Sequence, residues 1–134
     1  MPIVDITLLR GRTPQILHDI ADAVHDALVS EFGIPTDDRF QVIHQKEPYE
    51  LIFDPTFLGG PRTAEFVMVR VVVGKERPIE TKHALYRAIA GNLAERIGID
   101  VEDVFVALDT VALSDLSVAG GRPFAPPHLA PPKE

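Results

Sequence analysis

The 134-residue sequence contains no cysteine, which excludes disulfides, thiolate catalysis and cysteine-based metal sites together. It has no apolar run approaching the roughly 20 residues that span a bilayer. Nor does it show the charged, apolar and small-residue succession of a signal peptide. Positive charge is scarce: 13 Lys and Arg face 20 Asp and Glu, and a net charge of −7 argues against a nucleic-acid partner or an anionic membrane surface. Gly-rich phosphate loops, a Ser-His-Asp order and metal-ligand spacings are all missing. The expectation is therefore a cytoplasmic protein without a metal signature. What is present suffices for one domain with one core, since 46% of the residues are hydrophobic.

The first nine residues alternate as a β-strand, with Val4, Ile6 and Leu8 on one face and Ile3, Asp5 and Thr7 on the other. Thr13 and Pro14 then supply the cap and first position of a helix. Its apolar positions, Ile16, Leu17, Ile20, Ala23, Val24, Ala27 and Leu28, lead to Phe32 and a terminating Gly33. Arg39 to His44 reads as a second strand, completing a parallel βαβ unit. Residues 45–65 are irregular, with a short strand expected at Leu51-Ile52-Phe53 and a turn at Gly59-Gly60-Pro61. Strand character resumes from Phe66 to Val73. Pro78 opens a second helix with Leu85, Ala88, Ile89, Leu93 and Ile97 on one face and Gly98 closing it. Asp103 to Leu108 is the fourth strand, and residues 114–134 form a Gly- and Pro-rich tail expected to run extended.

The two halves repeat. A gap-free shift of 65 positions superposes Val4 on Val69, Arg12 on Arg77, His18 on His83, Ala23 on Ala88 and Leu28 on Leu93. It also superposes Gly33 on Gly98, Ile34 on Ile99, Asp38 on Asp103 and Phe40 on Phe105. The expected fold is α/β (α+β): tandem βαβ units, about 2–45 and 66–110 with a linker over 46–65, forming a four-stranded mixed sheet with two helices on one face. The whole of 1–134 then makes a single domain. The helices are expected to cover Val4, Ile6, Leu8, Phe40, Val42, Val69, Val71, Val73, Phe105 and Ala107. The other face is left with Ile3, Ile43, Met68, Val72, Val104, Val106 and Leu108 among Asp5, Gln41 and Arg70. Such an apolar patch marks an interface, so the chain is expected to oligomerise. Asp5 and Arg70, equivalent in the two halves, are expected to pair across the sheet.

Several stretches together resemble the tautomerase superfamily, and within it malonate semialdehyde decarboxylase and its relatives. They are Pro2 at the start of a strand, Gly11-Arg12-Thr13 at the strand-to-helix turn, Ala23 to Val29, Phe32 to Gln41, Arg77 to Lys82 and Asp103 to Leu108. The resemblance covers residues 2–121. It implies a cofactor-free enzyme acting on a small oxo acid by decarboxylation, with tautomerase or hydratase side activity, and assembled as a homotrimer. It implies that Pro2 is the catalytic amine, that Asp38 works beside it, and that Lys75 and Arg77 bind the substrate carboxylate. Two positions depart from the family pattern: Lys75 stands where relatives have arginine, and Leu116 where they have tryptophan.

The residues themselves admit this chemistry and also plainer readings. Initiator methionine is normally trimmed before a small residue such as proline, which would leave a secondary amine on a rigid strand. An ordinary α-amino group titrates at about 7.7–8.0, within reach of acid or base work near neutrality. Lys75 and Arg77 stand at the entrance of the second helix, where the dipole and free N–H groups favour an anion. Alternatively Pro2 only opens a strand, where its missing N–H does no harm; Asp38 punctuates a turn, as its repeat mate Asp103 does; and the two cations are solvated. The βαββαβ pattern also builds non-catalytic ferredoxin-like modules for oligomerisation or small-ligand binding. His18, His25 and His83 are expected at solvated or rim positions, His44 and His128 as isolated side chains, and Tyr49 on the linker surface.

Overall fold

The computed structural model describes residues 1–124. Four strands, β1 (Pro2–Leu9), β2 (Gln41–Lys46), β3 (Val67–Val73) and β4 (Val104–Thr110), form one sheet in the order β2-β1-β3-β4. β1 runs parallel to β2, β3 parallel to β4, and the central β1–β3 pair is antiparallel. The helices α1 (Pro14–Phe32) and α2 (Ile79–Ile97) have 19 residues each and pack together over one sheet face. Thr13 caps α1 through its side-chain oxygen, which accepts from the Ile16 N–H at 3.2 Å. Both helices end on a glycine in the left-handed region, Gly33 at φ 67° and Gly98 at φ 83°, where a side chain would be strained.

The repeat is carried into the hydrogen-bond register. Val4 pairs with Gln41, and the same pair shifted by 65 residues is found in β3–β4 as Val69 with Val106. In the central ladder Asp5 lies directly opposite Arg70, its own repeat mate, so a local twofold passes between them. Their side chains do not pair, however. Asp5 accepts from His44 Nε2 at 2.7 Å, while Arg70 binds Asp109 at 2.5 Å. His44 is thus not isolated.

Val4, Ile6 and Leu8 of β1 and Val67, Val69, Val71 and Val73 of β3 meet Ile20, Val24, Leu28, Leu85, Ile89 and Leu93 in the core. Ile16 is off this face and 37% exposed. The edge strands correct the expected faces. Register sets Gln41, Ile43 and Gln45 beside the inward residues of β1, so Phe40 and Val42 point away, each 50% exposed. In β4, Val104, Val106 and Leu108 pack on the core and Phe105 faces out. Val-Phe-Val-Ala-Leu has no apolar alternation, so the ladder decides its face. Gln41 is tolerated inward because it is half-buried at the sheet edge and donates from Nε2 to the Ala21 carbonyl at 2.8 Å. The uncovered face therefore carries Ile3, Val42, Met68, Val72, Phe105 and Ala107 among Asp5, His44, Arg70 and Asp109.

No strand forms at Leu51–Phe53. This linker instead makes turns, and Phe53 stacks on the buried Phe66 with ring centroids 4.3 Å apart. Tyr49 is exposed on it, as expected. After β4 comes a 3-10 turn at Leu113–Asp115. The tail expected to run extended instead turns back on itself over residues 114–124, where the Phe124 N–H reaches the Leu116 carbonyl, while residues 125–134, His128 among them, lie outside the described residues. None of the described helices is long and apolar enough to cross a membrane.

Candidate active site

Antiparallel pairing of β1 with β3 sets Pro2 opposite Val73, so the start of the chain meets the end of β3 and the turn into α2. The connection from α1 to β2 arrives at the same place, because β2 is parallel to β1. A cavity of about 590 Å³ opens there, with Met1, Asp38, Lys75 and Arg77 in its wall. Four residues singled out from sequence, Pro2, Asp38, Lys75 and Arg77, thus converge on one end of the sheet. Pro2 is buried behind Met1 and does not itself line the cavity.

The Met1 ammonium lies 3.3 Å from Asp38 Oδ2. Asp38 is held by a turn in which its N–H donates to the Pro35 carbonyl at 3.1 Å. His25 steadies that turn from α1. Its Nε2–H donates to the Thr36 carbonyl at 2.8 Å, and the ring is only 5% exposed rather than solvated. Arg77 is half-buried over the ring of Phe32, 4.2 Å from its centroid. It donates to the carbonyls of Lys75 at 2.9 Å and Phe32 at 3.4 Å. Burial lowers its affinity for a proton from the ordinary arginine value, but a guanidinium stays charged in proteins. Lys75 is exposed and makes no ion pair among the described residues. The intervening Glu76 turns outward to Lys82, whose hydrogen bond and charge hold it below the usual carboxylate range.

A roof completes the cavity, formed by Leu113, Val118 and Phe124. The Phe124 N–H donates to the Leu116 carbonyl at 3.0 Å, folding the segment back on itself. Gly74 lets the roof approach: a Cβ there would sit 2.6 Å from Leu113 Cδ2. Reading the sequence missed this roof, because residues 113–124 carry no periodic signal.

A tautomerase enzyme family model matches residues 38–119, and a second of the same description matches residues 2–59. The probable tautomerase YusQ of Bacillus subtilis is 37% identical over 91% of this chain and 96% of its own. The chain belongs to the tautomerase family. Two solved malonate semialdehyde decarboxylases share its fold. One, described for decarboxylase and hydratase activities, has TM-score 0.85, 34% identity and coverage of 90% and 92% of the two chains. The other, inhibited by 3-bromopropiolate, has TM-score 0.84, 38% identity and coverage of 90% and 91%. A fused 4-OT protein forming a symmetric trimer is similar at TM-score 0.75 and 25% identity, covering 90% and 94%.

The repeat places a second copy of this arrangement in the other half, and there both cations are paired within the chain. Shifted back by 65, Gly74, Lys75, Arg77, Leu113 and Val118 become Leu9, Arg10, Arg12, Pro48 and Phe53; Asp38 shifted forward becomes Asp103. Leu9, Pro48 and Phe53 line a shallow cavity at the opposite end of the sheet. There the linker enters. Arg12 donates to the Glu65 carboxylate at 2.7 Å and its carbonyl at 2.9 Å, and Arg10 pairs with Glu47 at 3.1 Å. Asp103, 1% exposed, accepts from the Thr63 N–H and hydroxyl, each at 2.6 Å. Phe66 stands where the other half has Met1. The one signal of this copy in the sequence was the match of Arg12 and Asp103 to Arg77 and Asp38.

Proposed function

We propose that this tautomerase uses the amine of Pro2, freed by removal of Met1, to act on a small oxo acid whose carboxylate is held by Lys75 and Arg77. The observation carrying the proposal is the contrast between the two pockets. In the copy at the other end of the sheet a glutamate carboxylate sits on Arg12 and another on Arg10. Their mates Arg77 and Lys75 face an open cavity and bind no carboxylate among the described residues. A carboxylate is thus the group that the equivalent cations of the other half bind within the chain. Backbone carbonyls and the Phe32 ring pre-position Arg77 without neutralising it, while Lys75 adds charge without a bidentate fork.

In a decarboxylation like that of malonate semialdehyde decarboxylase, the Cα–carboxylate bond of a 3-oxo acid breaks and carbon dioxide leaves. The electron pair moves into the carbonyl, and the protonated Pro2 amine stabilises the developing enolate oxygen by donating a hydrogen bond or proton. The enol then takes a proton at carbon. Asp38, which pairs with an ammonium at this point of the fold, supports the charged amine and in hydration orients water. A neutral amine would instead remove an α-proton and return it elsewhere, which is tautomerisation. These steps need the amine, the aspartate and the two cations. The chain is further proposed to be a homotrimer that buries the uncovered sheet face, as the trimeric fused relative suggests. A stable monomer in sedimentation at micromolar concentration would contradict that part.

The test is a comparison of trimmed protein with protein carrying one extra residue before Pro2. Turnover of a 3-oxo acid and of phenylenolpyruvate should be lost in the blocked protein. Equal rates in the two would remove the amine from the mechanism and leave a binding module.

A further inference from the structure

We infer that the substrate carries a bulky apolar substituent, up to the size of a phenyl ring, on the carbon chain away from its carboxylate. This rests on the proposed carboxylate grip at Lys75 and Arg77 and specifies what fills the remaining space. The charged groups of the cavity, namely the chain's amine, Asp38, Lys75 and Arg77, are met by a wall of Ile34, Phe40, Leu113, Val118 and Phe124. Cavities of such volume accept drug-sized ligands, and a three-carbon oxo acid would leave most of this one to water. The wall is costly to leave wet. Phe40 is 50% and Val118 47% exposed, apolar surface that a substituent of matching character would cover. Leu116 braces this wall from behind. Its carbonyl anchors Phe124, and its Cδ1 lies 3.6 Å from the point a Gly74 side chain would occupy.

The test uses unreactive carboxylates, whose binding needs no catalysis, measured by calorimetry on trimmed protein. Across propanoate, pentanoate, heptanoate and 3-phenylpropanoate, affinity should rise about fourfold per added methylene and at least about tenfold for the ring. Val118→Asp and Phe124→Ser, both at solvent-accessible roof positions, should each bring the ratio of 3-phenylpropanoate to propanoate affinity down towards one. Affinities that stay level or fall with size overturn the inference, as does a ratio unmoved by both substitutions. Turnover of a 3-oxo acid by protein blocked before Pro2 separates the two readings: full turnover there refutes the amine mechanism, while the slope of affinity with size alone judges this inference. If no member of the series binds saturably, both the grip and the apolar wall are wrong.

Discussion

Arg77 and Arg12 occupy equivalent places in the two halves, so removing each in turn separates stability from function. Arg77→Ala deletes hydrogen bonds to two backbone carbonyls, one of them long at 3.4 Å, and the contact with the Phe32 ring at 4.2 Å. With the side chain half in solvent, these together amount to about 1–2 kcal/mol. Arg12→Ala deletes bonds to the Glu65 carboxylate and carbonyl at 2.7 and 2.9 Å. Since Glu65 is 61% exposed, that loss is also about 1–2 kcal/mol. A domain stable by roughly 5–15 kcal/mol survives either change. Function should divide them sharply. A charge-assisted contact to a substrate carboxylate contributes roughly 1.5–3 kcal/mol, so kcat/KM for Arg77→Ala should fall about 10- to 150-fold. Arg12→Ala should keep wild-type kinetics while showing a similar drop in urea midpoint. Two measurements on each variant decide the matter: a urea curve, and kcat/KM for an oxo acid. Unchanged kinetics for Arg77→Ala, or equal damage from Arg12→Ala, would refute the reasoning.

Three further outcomes are expected. Asp103→Ala should lower stability by about 2–4 kcal/mol, because it leaves the Thr63 N–H and hydroxyl without their buried acceptor, and it should expose residues 47–65 to proteolysis; an unchanged urea midpoint would show the linker is not pinned there. Lys75→Ala should weaken kcat/KM less than Arg77→Ala does, and Lys75→Arg should tighten carboxylate binding by supplying a fork; a larger loss for Lys75→Ala would reverse their roles. Asp54, which accepts from the N–H groups of Thr56 and Phe57, is held below its usual 3.8 chiefly by those bonds. A depressed carboxyl stabilises the folded state above its unfolded value and loses that contribution as pH falls through the folded one, so the linker turn should loosen only below about pH 4. Carboxyl carbon NMR that finds Asp54 titrating above its usual value would disprove this.

The helices were legible because Leu17, Ile20, Val24 and Leu28, and again Leu85, Ile89 and Leu93, repeat at helical spacing and all proved buried. The 65-residue shift made the halves legible too, and the ladders preserve it. The faces of β2 and β4 were not, since register comes from neighbouring strands and neither strand alternates in the direction it was placed. The site was legible where chemistry is dense, around Asp38, Lys75 and Arg77. It was illegible where it depends on distant segments. His25 reads as a solvated helix residue until the chain beyond Gly33 folds back and presents the Thr36 carbonyl to it. Leu113, Val118 and Phe124 are ordinary apolar residues in an aperiodic stretch, and only packing against Gly74 makes them a wall.

The internal repeat leaves its two halves unlike at one point. The Met1 amine lies beside Asp38. At the matching point beside Asp103 the backbone runs on through Phe66 into Val67, whose nitrogen is an amide without basicity. No side-chain substitution in that half can restore an amine there; only a new chain start could. Pairing of Arg12 with Glu65 and of Asp103 with Thr63 thus falls in the half that has no amine at this point. A chain start placed at Val67 would set an amine beside Asp103 instead.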